Sequence, residues 1–143
     1  MFELLNEMEA GLEPVRKIES HNQKVRASVV SADGRFLFFG DRAGEVRKWD
    51  TRKLKFVPSW KSNTTNSVLH ALCASSENSF IFSGGDDAVI RMWKQSTGKV
   101  IRTFETKHTD WIESLAETAD GRYIFSASSD HTIIQWEVTC SSI

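Results

Sequence analysis

Short alternating apolar and polar runs, separated by turn residues, fill most of this chain, and they repeat. From His108 to Trp136 it reads HTDWIESLAETADGRYIFSASSDHTIIQW. The alternation around Ile112, the Ala119-Asp120-Gly121 turn, the apolar run Tyr123-Ile124-Phe125, a Ser/Asp-rich turn and the run Ile133 to Trp136 predict three short strands joined by tight turns. Phe36-Leu37-Phe38 and Phe80-Ile81-Phe82 repeat the middle run, and the tryptophans Trp49, Trp93 and Trp136 recur after 44 and 43 residues. Val25, Leu69 and Ile112 each precede their tryptophan by 24 residues. The pattern predicts strands at Val25 to Val30, Arg35 to Phe39, Glu45 to Trp49 and Leu54 to Trp60. A second set covers Val68 to Cys73, Ser79 to Ser83, Val89 to Trp93 and Lys99 to Phe104. The third covers Trp111 to Glu117, Arg122 to Ser126 and Thr132 to Glu137.

A period near ~40–45 residues with four strands per unit and a closing tryptophan marks a propeller blade. On these residues the chain resembles the WD-repeat family over residues 15–138. Trp49-Asp50 supplies the name-giving dipeptide, whereas Trp93-Lys94 and Trp136-Glu137 depart from it. The resemblance implies an all-β fold of WD-repeat β-propeller blades: three four-stranded antiparallel units, the last lacking its own outer strand, as an incomplete ring or half of a six-bladed ring. The expected layout is a short N-terminal amphipathic helix or cap over residues 1–14, an outer strand (Val15 to Ser20) plus blade one over 15–60, blade two over 61–104, and an incomplete blade three over 105–143. The helix is read from Phe2, Leu5, Met8 and Leu12 at near-helical spacing before Pro14.

Three blades do not close a ring, since propellers use at least about four. Two sheet faces and one sheet edge are then left uncovered. Two readings stand open: two copies join reciprocally, each Val15 to Ser20 strand completing the other's third blade in a six-bladed homodimer, or further blades come from a longer chain or another protein.

The resemblance also implies a buried hydrogen-bonded network of His, Ser or Thr, Asp and Trp in each blade. Blade three carries all four, as His108, Ser126, Asp130 and Trp136. Blade two has Ser83, Asp87 and Trp93, with Thr65 in the histidine position. Blade one has His21 and Trp49, with Phe39 and Ala43 replacing the serine and aspartate. For recognition, it implies a rim built from the residues flanking each anchor and from those just before the turn aspartate: Lys24, Arg26, Arg42, Val68, His70, Asp86, Trp111, Glu113 and Ser129.

Composition narrows the chemistry. The 143 residues carry a net charge of −1, which gives no general pull toward nucleic acid or anionic lipid. Cys73 and Cys140 form neither metal spacing nor a disulfide framework, which suits a reducing cytoplasmic or nuclear setting. Residues 1–13 lack the basic end and apolar core of a secretory signal, and no run is long enough to span a membrane. No phosphate-cradling glycine loop, metal-ligand cluster or cofactor motif is present, and no Gly-x-Ser-x-Gly elbow supports His108, Ser126 and Asp130 as a serine hydrolase. The expectation is a non-catalytic scaffold or adaptor that binds a protein or peptide. Lys24, Arg26 and Arg42 suit an acidic or phosphorylated segment, and nucleic-acid or phosphate-ligand recognition by the same cluster is the alternative.

Overall fold

The structure, a computed structural model, describes residues 10–19, 24–58, 67–77 and 79–139. Its elements are all strands: β1 (Val25–Val30), β2 (Phe36–Asp41), β3 (Val46–Asp50), β4 (Lys55–Phe56), β5 (Leu69–Ala74), β6 (Phe80–Gly85), β7 (Val89–Lys94), β8 (Val100–Glu105), β9 (Ile112–Glu117), β10 (Tyr123–Ser128) and β11 (Ile133–Glu137). They form antiparallel sheets in the orders β1-β2-β3-β4, β5-β6-β7-β8 and β9-β10-β11, so among the described residues the third blade has three strands.

Turn chemistry sets these meanders. Ser31, Ser75 and Thr118 stand at one repeat position, and their hydroxyls accept the N–H of Phe36, Phe80 and Tyr123 at 3.0, 3.0 and 3.1 Å, closing the first turn of each blade. The second turn requires a left-handed residue. Gly44, Ala88 and His131 hold that place with φ of 83°, 59° and 75°, although only the first is a glycine.

The blades stack through two apolar cores. Phe38 and Val46 of blade one meet Leu69, Leu72, Ile81 and Trp93 of blade two. On its other face blade two brings Ala71, Phe82, Ile90 and Met92 against Ile112, Leu115 and Ile124 of blade three. Adjacent residues of β6 thus serve opposite cores, Ile81 one and Phe82 the other, as the two-residue period of a strand demands. Blade two is buried on both faces, and each large side chain so enclosed contributes roughly 1.5–3 kcal/mol.

Several expectations are corrected or fall outside the described residues. Residues 10–14 carry no helix, and 1–9 lie outside the described set. Val15 to Glu19 form no strand, because no sheet gives them a hydrogen-bonded neighbour, and Ser20 is not described. The outer strand expected over Leu54 to Trp60 is only Lys55–Phe56 among the described residues. Leu54, at φ 57°, is still part of the turn, and Pro58 has no N–H for the ladder. Val68 and Trp111 sit just before β5 and β9 rather than within them. His21, Thr65 and Cys140 are outside the described residues.

Candidate functional site

Three β-bulges build one rim of the molecule. In blade one the β1–β2 register skips between Val25 and Ala27. In blade two the β5–β6 register skips between Leu69 and Ala71, and in blade three Ile112 and Ser114 oppose consecutive residues of β10. The supernumerary residues are Arg26, His70 and Glu113. A bulged residue leaves the ladder and its side chain is re-aimed, so one repeated defect presents the same position three times. Each bulge is clamped by a backbone bond from the facing turn: Arg42 N–H to Lys24 O (3.1 Å), Asp86 N–H to Val68 O (3.1 Å) and Ser129 N–H to Trp111 O (3.0 Å). In blade two the clamp requires a glycine, since a Cβ on Gly85 would lie 1.9 Å from Val68 O.

All nine expected rim residues therefore sit in three copies of one local geometry, and four of them are joined across blades. The ring of His70 is buried between its neighbours. Its Nδ1 lies 3.3 Å from Arg26 Nη2, its Nε2 is bonded to the Asp86 carboxylate, and its face stacks on Trp111 with centroids 5.2 Å apart and planes 19° from parallel. A guanidinium only donates, so Nδ1 accepts from Arg26 and Nε2–H donates to Asp86. Trp111 keeps 46% of its surface exposed. Glu113 accepts from Ser129 Oγ at 2.8 Å. Lys24 and Arg42 are exposed and meet through the backbone clamp, whereas Val68 is half-buried and contributes its carbonyl. The rim thus runs from cationic side chains on blade one, through the His70 pair, to an indole and a carboxylate on blade three.

Beneath it lies the His108 network. Ser126 Oγ, fully buried, accepts from Trp136 Nε1 at 2.9 Å and lies 2.8 Å from His108 Nε2, while His108 Nδ1 is 3.0 Å from Asp130 Oδ2. The indole N–H only donates, so the serine proton turns to Nε2 and the imidazole N–H at Nδ1 turns to Asp130. Asp130 also accepts from the N–H of Thr109 (3.0 Å) and Thr132 (2.8 Å) and from the Thr132 hydroxyl (2.5 Å). The Thr132 hydroxyl is the largest influence and outweighs the opposing effect of burial, and the backbone donors and His108 add to it, so the carboxyl is held well below the usual carboxylate range. The order Ser–His–Asp is that of a hydrolytic triad, but this hydroxyl is enclosed and its lone pair is taken by an indole.

The other blades reach the same end differently. In blade two Trp93 Nε1 donates to Ser83 Oγ at 2.7 Å, and Asp87 accepts from Val89 N–H and pairs with Arg91 at 2.6 Å. In blade one Trp49 packs edge-on against Phe56 with centroids 4.8 Å apart, and Phe39 meets the same ring at 6.3 Å. Its turn is organised by Asp41, which accepts from Ala43 N–H (2.9 Å) and Glu45 N–H (3.0 Å). Sequence reasoning missed Asp41 because it stands two places before the expected aspartate position, and the Asp-x-x-Gly turn at 41–44 was the available signal. It also missed Lys48, whose buried ammonium donates to Gln95 O of blade two at 3.0 Å and lies 4.0 Å from the Phe36 ring centre. Burial, ahead of the nearby Arg35 charge, lowers its pKa.

Comparisons with known proteins agree with this architecture. The family profile described as WD domain, G-beta repeat, matches residues 12–50, 54–94 and 98–137. The chain is 25% identical over 126 residues to the WD repeat domain-containing protein 83 homolog of Dictyostelium discoideum, covering 88% of this chain and 38% of that protein. It is 27% identical over 130 residues to the small ribosomal subunit protein RACK1y of Oryza sativa subsp. japonica, covering 86% and 37%. The crystal structure of RRP9 WD40 repeats superposes with a TM-score of 0.76 at 23% identity, over 86% of this chain and 38% of that one, a likeness of fold. The chain thus spans less than two fifths of the length of these proteins. With three repeats matched along the same strands, bulges and turns, the chain belongs to the WD-repeat family.

Proposed function

We propose that this chain is a non-catalytic interaction scaffold that binds a protein or peptide segment across the bulged rim. The observation that carries the reading is the joined set Arg26–His70–Asp86 with Trp111 stacked on His70, which links all three blades while leaving half an indole open. A rigid, partly exposed aromatic anchor flanked by charges is what a recognition hot spot requires. Lys24, Arg26 and Arg42 at the blade-one end favour an acidic or phosphorylated residue, and Trp111 takes an apolar one. Burial of the Ser126 hydroxyl supports a structural role for the His108 network over a nucleophilic one. Such a scaffold fits a cytoplasmic or nuclear setting, and among the described residues no helix is long and apolar enough to cross a membrane.

The test is an array of acidic, phosphorylated and neutral peptides probed with the wild-type chain and with Arg26→Glu combined with Arg42→Glu. Wild type retains acidic or phosphorylated peptides, and the double variant loses at least about tenfold in affinity with its thermal midpoint kept within a few degrees. Equal binding by both proteins removes the basic rim from the reading. A steep salt dependence with single-stranded nucleic acid, and none with peptides, favours the phosphate-ligand alternative.

A further inference from the structure

At the end of blade one opposite the bulged rim, the turns that join β1 to β2 and β3 to β4 border a pocket of about 310 Å³. Four cationic side chains line it, Arg35, Lys48, Lys53 and Lys55, with one carboxylate, Asp50, and the ring of Phe36. The strand β2 (Phe36–Asp41) runs from this pocket to the rim. Its length, roughly 17 Å, is about twice the Debye length at physiological salt, so the two basic regions are electrostatically separate.

The carboxylate in the pocket is already engaged. Asp50 Oδ1 accepts the N–H groups of Arg52 and Lys53, both at 2.9 Å, and its Oδ2 stays 3.7 Å from Arg35 Nη2, beyond hydrogen-bond reach. Donors are left over on the cationic side. Lys48 is only 9% exposed and its ammonium has three N–H donors. Among the described residues it meets one acceptor, Gln95 O at 3.0 Å, and otherwise the faces of Phe36 and Phe38. Arg35 Nε is buried with no hydrogen-bond partner among the described residues, and its guanidinium carbon lies 5.1 Å from the centre of the Phe36 ring. Two desolvated cations thus flank one ring with donors to spare. Burial and then the Arg35 charge lower the Lys48 pKa, and Asp50 opposes them by less, as expected of an ammonium short of opposing charge.

Packing does not call for these charges. One repeat on, in blade two, Met92 stands at the place of Lys48, Ser79 at that of Arg35 and Thr97 at that of Lys53. Met92 fills its wall as an apolar side chain. An ammonium buried in its stead is costly unless an anion or full hydrogen bonding offsets it.

We propose that this pocket binds a small ligand bearing two linked phosphate groups, one held at depth by Lys48 and Arg35 and the other at the mouth by Lys53 and Lys55, which are exposed. A phosphate group brings about two negative charges and three strong acceptor oxygens, so one takes the spare donors of Lys48 and Arg35 Nε and leaves the two mouth lysines for the second. The pocket volume lies at the lower end for ligand sites and suits a diphosphate, free or on a single small ring. The site owes nothing to the peptide-binding rim.

The probe is inorganic pyrophosphate, titrated calorimetrically into the 143-residue chain at physiological salt without divalent cations, with orthophosphate alongside. Pyrophosphate binds at least about tenfold more tightly than orthophosphate. Lys48→Met weakens it by at least about tenfold, and Lys53→Ala combined with Lys55→Ala by about threefold or more. Lys48→Met carries the residue that blade two uses at this place, and circular dichroism checks its fold. The lysine pair is exposed, so it keeps the test open should Lys48→Met unfold. Lys99→Ala, the counterpart of Lys55 in blade two, leaves the affinity unchanged, as does Arg26→Glu combined with Arg42→Glu, which separates this result from that of the rim. Vesicles of a lipid with a bisphosphorylated headgroup distinguish the source of the phosphates. Retention that pyrophosphate displaces and Lys48→Met abolishes assigns them to a headgroup, and absence of retention assigns them to a soluble ligand. No pyrophosphate binding, equal affinity for orthophosphate, or equal affinity in wild type and both pocket variants overturns the proposal.

Discussion

Ser126 shows how much one side chain decides. Its hydroxyl answers both an indole N–H and an imidazole nitrogen inside the interblade wall, at 2.9 and 2.8 Å. Ser126→Ala leaves Trp136 Nε1 and His108 Nε2 buried without that partner, and a buried unsatisfied group costs about 1–3 kcal/mol. The expected outcome is a fall in the urea midpoint with an unchanged slope, and Ser126→Thr, which keeps the hydroxyl, loses less. A variant as stable as wild type would show that the network orders nothing. The residue types of this network were named from the sequence by resemblance, and the nine rim positions were expected on the same ground. What was not legible is the pairing of Arg26, His70, Asp86 and Trp111, which come from three blades and meet only when the blades stack. A linear pattern carries no distance between residues 26 and 111.

At the scale of the element, the strand pattern was readable because alternation reports the buried face. The strand ends and bulges were not. Strict alternation places Lys24 and Arg26 on one side of Val25. The structure instead makes Arg26 a supernumerary residue, because the turn clamp at Arg42 and Lys24 draws the strand inward. Close interblade approach is a second property that only assembly reveals. A Cβ on Gly84 would lie 2.6 Å from Ile112 Cγ2 of the next blade, whereas one on Gly40, its equivalent, meets Leu69 Cδ1 at 3.1 Å. Gly84→Ala is thus expected to destabilise by about 1–3 kcal/mol through overpacking, and Gly40→Ala by less. Chemical denaturation of the two variants checks the order, and a larger loss in Gly40→Ala would mean that the wall between blades one and two, not that between blades two and three, is the rigid one.

Across the whole molecule, stability resides in the two walls between blades. Cys73 lies in the wall shared by blades two and three, and burial, reinforced by the Glu117 charge, pushes its thiol up to about 12. At neutral pH it is protonated and enclosed, so alkylation requires the wall to open. The expected outcome is slow iodoacetamide modification of Cys73, mapped by mass spectrometry, that speeds up severalfold in Gly84→Ala and hardly at all in Arg26→Glu combined with Arg42→Glu. Equal rates in all three proteins would place Cys73 in reach of solvent without interblade opening. The same architecture explains the unequal exposure of the blades. Blade two has a neighbour on each face, while blades one and three each present a face and apolar residues such as Val30 and Ile133 to solvent.

The sequence by itself determined the repeat, the three blades and their strand order. All of these follow from local turn chemistry and the two-residue period of a half-buried strand, which are written in neighbouring residues. Tertiary structure decided the rest: that the rim is built on bulges, that His70 joins three blades, that Asp41 and Lys48 take over in blade one, and that Val15 to Glu19 lie outside the described sheets. Each of these depends on which faces come within a few ångströms across blades some 40 residues apart, and that proximity is created by packing rather than by order along the chain.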